Sequence, residues 1–151
     1  MYNSLKYMTL TVQLADKRVL VNRTKYGGGA RWAVTHETFL CNHETPLVEA
    51  NKLLMNNFGI DAGDYTDDFA TIKQYPPNSV AINRFIHPYV LKMHKTLSFK
   101  IDALQEYRAL DWYDIVDDVL KDATSRSTMA QKYTPTAAFV TKIIHNLKVF
   151  D

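Results

Sequence analysis

A cluster of histidine and glutamate residues lies in the first third of the chain. It contains His36, Glu37, His43, Glu44 and Glu49. Imidazole and carboxylate groups both suit transition metals, so these residue types could build a metal site. Their spacing matches no diagnostic ligand pattern, because the two histidines stand seven residues apart in a segment that reads as a loop. We therefore predict a polar, solvated loop without a metal, and we keep Glu37 and Glu49 as alternative metal ligands.

A run of glycines, Gly27–Gly29, lies among cationic and aromatic residues. Glycine permits positive φ and close approach of the backbone to a ligand. Arg23, Lys25 and Arg31 could hold a phosphate group by charge-assisted hydrogen bonds. Trp32 could stack on a base. A hairpin turn with solvated charges and a core tryptophan accounts for the same residues, and both interpretations stay open.

The elements that position these residues begin with a hairpin. Apolar residues alternate with polar ones over residues 8–14, which predicts a half-buried strand. A turn at residues 15–17 returns the chain over residues 18–23, and extended structure resumes at residues 31–34.

A helix follows, because Thr45 is a good N-cap, Pro46 suits the first helical position and Gly59 suits the end. A second cap, Thr134 before Pro135, predicts a final amphipathic helix. Further candidate elements are strands at 69–74, 83–93 and 107–112, and a helix at 114–121. This order of elements predicts an α/β fold with a mixed sheet that is covered on both faces.

Composition limits the classes of function. The 151 residues are 46% apolar and 23% charged, which is ordinary for a globular protein, and we expect a single domain over residues 1–151. The net charge of +2 argues against a strongly electrostatic nucleic-acid binder, and we expect no nucleic-acid partner. The single cysteine, Cys41, excludes an internal disulfide framework and a zinc site built on several thiolates.

Apolar residues are spread along the chain rather than gathered in one run. No stretch of about 18 apolar residues occurs, so we expect no membrane-spanning segment. The first residues lack the apolar core of a signal peptide. We expect a soluble cytoplasmic protein, and a homodimer stays open.

The segment from Glu44 to Ile60 resembles the signature of the Nudix superfamily, G-x5-E-x7-R-E-U-x-E-E-x-G-U, in which U is aliphatic. Anchored on Gly59, the alignment places Glu44 on the first signature glutamate and Lys52 on the arginine. Trp32 stands where the family often has a tryptophan. The likeness covers roughly residues 6–150. It implies a Nudix-type α/β/α sandwich around a mixed β-sheet.

The C-terminal part is similar to the isopentenyl-diphosphate isomerase-like branch of that superfamily. The likeness rests on the segments around Trp112 and Tyr133. That branch uses a Cys-x-His-Pro segment and a Glu-x-Glu pair, and neither occurs in this sequence. We therefore do not infer an isomerase.

The signature positions that would bind metal have changed. In the family, helix glutamates hold Mg²⁺ or Mn²⁺, which activates a water molecule. Here Leu53 replaces the first of these glutamates, and Asn56 and Asn57 replace the last two. Leucine cannot coordinate a metal, and asparagine cannot act as a general base. We expect Glu44 and Lys52 to form a structural ion pair that ties the loop to the helix.

The resemblance therefore predicts a Nudix-fold protein with a degenerate box. We expect it to bind a nucleotide or other diphosphate-containing ligand without the standard hydrolysis, and with no cofactor. The predicted ligand-binding residues are Arg23, Lys25, Arg31, Trp32 and His36.

Two alternatives stay open. The first is a divergent hydrolase of nucleoside diphosphate derivatives that uses Mg²⁺ or Mn²⁺ and acids outside the metal-binding positions of the box. Its candidate catalytic residues are Glu37, Glu44, Glu49 and Glu106. The second is an interaction module in which the cleft is closed.

Overall fold

The fold is taken from a computed structural model, which describes residues 6–26, 29–40, 45–58, 70–81, 84–94, 107–124 and 132–150. These ranges form eight strands and three helices. In chain order they are β1 (Lys6–Gln13), β2 (Val19–Tyr26), β3 (Gly29–Ala33), β4 (His36–Leu40), α1 (Pro46–Phe58), β5 (Ala70–Gln74), β6 (Asn78–Ala81), β7 (Arg84–Met93), β8 (Tyr107–Leu110), α2 (Trp112–Thr124) and α3 (Pro135–Asn146).

The strands form one mixed sheet with the order β3-β2-β1-β7-β5. β1 and β7 run parallel at its centre, with Tyr7 opposite Ile86 and Gln13 opposite Lys92. The pairings of β1 with β2 and β4, of β2 with β3 and β8, and of β7 with β5 and β6 are antiparallel. The predicted mixed sheet and the predicted hairpin between the first two strands are confirmed.

Helices cover both faces of this sheet. Successive residues of β1 point to opposite faces, so the strand takes part in the packing on each side. Met8, Leu10 and Val12 are fully buried in a cluster that includes Ala50 and Leu53 of α1. The opposite face packs against α2 and α3 through a second apolar cluster. Its members include Val19, Val90, Trp112, Ile115, Tyr133 and Ile144. The result is an α/β/α sandwich, as the resemblance implied.

One edge of β1 is shared by two different strands. β1 pairs with β4 over Lys6–Leu10 and with β2 at Gln13, so the sheet forks between them. Thr35 lies at the fork and is fully buried. Its hydroxyl accepts a hydrogen bond from the Val12 amide at 3.0 Å and donates one to the Leu20 carbonyl at 2.6 Å. One side chain thus joins β1 to β2 where they separate.

The predicted caps are present at two helices. Thr45 Oγ1 accepts a hydrogen bond from the Val48 amide at 3.2 Å, and α1 begins at Pro46. Thr134 Oγ1 accepts one from the Ala137 amide at 3.2 Å, and α3 begins at Pro135. Each hydroxyl satisfies one amide that has no partner within its own helix.

The predicted strand over residues 107–112 is two residues too long. Asp111 Oδ1 accepts a hydrogen bond from the Tyr113 amide at 2.9 Å, so the chain turns into α2 at Trp112. The predicted helix over 114–121 is correspondingly short, because α2 runs from Trp112 to Thr124.

A larger correction concerns the segment after β3. We predicted a solvated loop around His36 and Glu37, whereas His36–Leu40 forms β4. It pairs with the edge of β1 that β2 leaves free. The local sequence does not reveal this strand, because its partner residues lie far back in the chain. β6, which pairs with β7, was also missed. No helix within the described ranges has both the length and the apolar content to cross a membrane.

The fork provides a test of the fold. We expect Thr35→Val to lower the free energy of unfolding by about 1–3 kcal/mol, because the Val12 amide and the Leu20 carbonyl would stay buried without this partner. Chemical denaturation measures the change. Thr35→Ser keeps the hydroxyl and serves as the matched control. Equal losses in both variants would contradict the role assigned to the hydroxyl.

Candidate functional site

The β2–β3 hairpin brings a cation and an aromatic ring together. Arg23 stands opposite Trp32 in the strand register. The guanidinium carbon lies 5.3 Å from the centre of the Trp32 ring, which is within the range of a cation–π contact. Lys25 is exposed and stands two residues beyond Arg23, so it projects from the same face of the strand. Two cations and an indole ring therefore share one surface.

This surface belongs to the α2/α3 side of the sheet. Trp32 is half-buried against the apolar cluster of that side. Its backbone also pairs with the segment before α3. The Trp32 amide donates to the Lys132 carbonyl at 2.8 Å, and the Thr134 amide donates to the Trp32 carbonyl at 2.9 Å. Both main-chain groups of Trp32 are therefore fixed, which holds its ring in place beside Arg23.

Asp122 holds the same segment from the other direction. This buried carboxylate accepts hydrogen bonds from the Lys132 amide at 2.8 Å and the Tyr133 amide at 3.1 Å. It therefore ties the end of α2 to the strand-like residues that support Trp32. Nothing in the sequence singles out Asp122, because its role depends on residues that the fold brings close to it.

The predicted ligand-binding residues divide between the two faces of the sheet. Arg31 stands opposite Thr24, out of phase with the Arg23–Trp32 pair, so it lies on the α1 side. His36 also lies on the α1 side, since it is opposite Leu10 in the register and contacts Glu49 of α1. The structure thus groups Arg23, Lys25 and Trp32, and it separates Arg31 and His36 from them.

Glu49 is the single acidic residue of α1, and a histidine and a lysine lie beside its carboxylate. His36 Nε2 lies 3.7 Å from one carboxylate oxygen, and Lys52 Nζ lies 3.5 Å from the other. The Glu49 side chain is only 13% exposed, so these neighbours offset a charge that is largely removed from water. The predicted partner of Lys52, Glu44, lies outside the described residues.

Glu37 occupies the opposite face of β4. Its carboxylate accepts a hydrogen bond from the Tyr7 hydroxyl. The Tyr7 ring contacts Phe39, with 4.8 Å between the ring centres, and packs against the α2/α3 cluster. Glu37 and Glu49, the alternative metal ligands, are therefore on different sides of the sheet. Tyr7 is a polar partner that sequence reasoning missed, because it stands thirty residues from Glu37.

The helix that carries the predicted box, α1, packs into the core. Leu53 is 3% exposed and belongs to the α1-side cluster together with Ala50. Lys52 and Asn56 are exposed, and the buried Asn51 amide oxygen has no hydrogen-bond partner among the described residues. Asn57 lies in α1, but its side chain is outside the described part, as are Gly59 and Glu106.

The described donors do not fit the metal that the Nudix resemblance implies. Leu53 fills the core at the position of one signature glutamate, and Glu49 is engaged by His36 and Lys52. Within the described ranges, no three His, Cys, Asp or Glu side chains come together in a way that could hold a metal ion. We therefore assign no reaction step to a metal.

Comparison of structures gives the fold, whereas comparison of sequences gives no match. No protein-family profile and no curated protein sequence matches the chain. The structure is similar to RenU, a Nudix hydrolase from M. smegmatis, with a TM-score of 0.60 and 11% identity over 99% of this chain and 89% of that one. A Nudix family hydrolase from Clostridium perfringens has a TM-score of 0.52 and 9% identity over 97% and 99% of the two chains.

A third solved structure has a similar fold. DR0079 from Deinococcus radiodurans has a TM-score of 0.60 and 9% identity over 94% of this chain and 83% of that one. At these identities the likeness concerns the fold alone. The chain therefore has the Nudix fold that its sequence resemblance implied.

The packing of α1 generates a direct test. We expect Leu53→Glu to lower the free energy of unfolding by more than about 3 kcal/mol, because it places an unpaired charge in the core. Asn56→Glu is the matched control, since it adds the same carboxylate at an exposed position of α1 and should change stability by less than about 0.5 kcal/mol. Thermal and chemical unfolding measure both variants. A Leu53→Glu variant as stable as the control would contradict the assignment of this position to the core.

Proposed function

We propose that this Nudix-fold protein binds a nucleotide or another diphosphate-containing molecule and does not hydrolyse it by the metal-dependent mechanism of the superfamily. The observation that carries the proposal is the burial of Leu53. The helix position that would present a metal-binding glutamate is used for packing. Glu49 is the one carboxylate in α1, and His36 and Lys52 lie close enough to it to offset its charge.

The surface formed by Arg23, Lys25 and Trp32 supports the binding part of the proposal. An arginine guanidinium offers a planar set of donors that matches phosphate oxygens, and Lys25 adds a second positive charge nearby. The guanidinium already lies over the Trp32 ring, so it is positioned before a ligand arrives. A base can stack on an arginine plane or an indole ring, and one surface thus offers both contacts that a nucleotide needs.

One observation favours the divergent-hydrolase alternative. Glu37 is a half-buried carboxylate on the same side of the sheet as Trp32, and Tyr7 orients it. A carboxylate held in this way could position a water molecule beside a bound diphosphate. This alternative makes Glu37 the acid to examine, ahead of Glu49 on the opposite face.

The experiment incubates the protein with a pool of nucleoside diphosphate derivatives, dinucleoside polyphosphates and capped nucleotides, with Mg²⁺ and Mn²⁺ present. Mass spectrometry after desalting identifies which compounds are retained and which are consumed. We expect a compound to be retained intact. Consumption with a monophosphate product would establish the divergent hydrolase. If no compound is retained or cut, the proposal fails, and the interaction module with a closed cleft takes its place.

The residues of the binding surface are tested on the compound that is retained. We expect Arg23→Gln combined with Lys25→Gln to weaken its binding at least about tenfold, because two phosphate-facing charges are lost. Lys73→Gln combined with Lys142→Gln is the charge-matched control, since both residues are exposed, Lys73 on β5 at the opposite edge of the sheet and Lys142 on α3. Titration calorimetry measures the affinities. Equal weakening by both double variants would show general electrostatics rather than a site.

A further inference from the structure

A polar cleft lies at the end of the sheet where the two parallel central strands finish. Its volume is about 270 Å³, and its lining includes Gln13, Lys17, Lys92, His94 and Phe150. The ends of β1 and β7 lie side by side, because Gln13 stands opposite Lys92 in the register. The chain beyond α3 crosses this end and forms one wall. None of the residues of the proposed nucleotide surface lines this cleft.

Lys92 is the innermost cation of the cleft. It is half-buried, and its ammonium group donates a hydrogen bond to the Val149 carbonyl at 3.0 Å. The same group lies 5.7 Å from the centre of the Phe150 ring. An ammonium has three donors, so this carbonyl uses only one of them. No described carboxylate forms an ion pair with Lys92, and a partly desolvated cation of this kind is stabilised by an anion.

A histidine and a second lysine border the same space. The Nε2 atom of His94 is in hydrogen-bond contact with Thr71 Oγ1 at 3.1 Å, which orients its ring. Lys17 is held in the turn after β1 by a hydrogen bond from its amide to the Leu14 carbonyl at 2.8 Å. The acidic residue of this turn, Asp16, is paired with Arg18 at 2.7 Å, so it leaves the charge of Lys17 uncompensated.

The positive surface continues past Phe150. A second cleft of about 440 Å³ shares this ring and is lined by His145 and Lys148 among others. No described acidic side chain lines either cleft. An anion bound beside Lys92 would therefore meet cations on both sides of the C-terminal segment.

We propose that the cleft at Lys17, Lys92 and His94 binds a phosphate group of a small molecule, separately from the nucleotide surface. The chemistry of the lining favours an anion, because its described residues combine two ammonium groups, an imidazole and an amide and include no acid. Ligand pockets begin at about 300 Å³, so the cleft suits a compact phosphorylated compound rather than a whole dinucleotide. The half-buried ammonium of Lys92 would contact the phosphate directly.

The test uses inorganic pyrophosphate in a variant that lacks the nucleotide surface, Arg23→Gln combined with Lys25→Gln. We expect calorimetry at low ionic strength to show binding in this background. Adding Lys17→Gln and His94→Gln should weaken that binding at least about tenfold. Both positions are exposed, so these changes leave the core intact. Adding Arg108→Gln and Lys142→Gln instead is the control, because it removes at least as much positive charge at two positions outside the cleft, and it should leave the affinity within a factor of about two.

Residue-specific NMR provides a second readout. Pyrophosphate should shift the amide signals of Lys17, Lys92 and His94 in the same background. Absence of binding in that background, or equal affinity after the changes at Lys17 and His94, would overturn the proposal. These outcomes are separate from those of the proposed nucleotide function, because the nucleotide surface has been removed before the titration begins.

Discussion

The sharing of one edge of β1 between two strands is the constraint on which the arrangement depends. The edge pairs with β4 along its first half and with β2 at its end. At the transition, the Val12 amide and the Leu20 carbonyl both reach the buried hydroxyl of Thr35. A buried polar group without a partner costs about 1–3 kcal/mol, so one hydroxyl makes the fork compatible with a dry core. The chain leaves β3 just before Thr35 and enters β4 just after it.

The fork also determines which residues can act together. The register of β2 and β3 sets Arg23 against Trp32 on the α2/α3 side. The register of β4 with β1 places His36 on the α1 side of the sheet and Glu37 on the α2/α3 side. The proposed binding surface and the helix of the predicted box consequently lie on different faces of the sheet. The box helix contributes Leu53 to the core, whereas the cationic and aromatic groups remain at the surface of the hairpin.

Sequence patterns predicted the parts of the fold that local chemistry determines. The caps at Thr45 and Thr134, the alternation along β1 and the apolar face of α1 at Leu53 could all be predicted from neighbouring positions. β4 was not, because its mixed polar sequence becomes a strand only by pairing with residues about thirty positions earlier.

The candidate site shows the same limit. Arg23, Lys25 and Arg31 were equivalent in the sequence, and only the strand register separates Arg31 from the others. The Tyr7–Glu37 hydrogen bond and the anchoring of residues 132–133 by Asp122 likewise depend on contacts distant in sequence. Individual candidate residues could therefore be chosen from the sequence. Which of them lie together could be seen only in the fold.

The central claim is that the protein holds a diphosphate compound without cutting it. The most direct measurement is a ³¹P NMR time course of the retained compound with excess protein and Mg²⁺ or Mn²⁺. Excess protein keeps the compound bound, so that slow turnover cannot be hidden by weak occupancy. The account predicts that the diphosphate resonances shift on binding and then keep their intensity. Conversion of those resonances into monophosphate signals at a rate that follows protein concentration would contradict it.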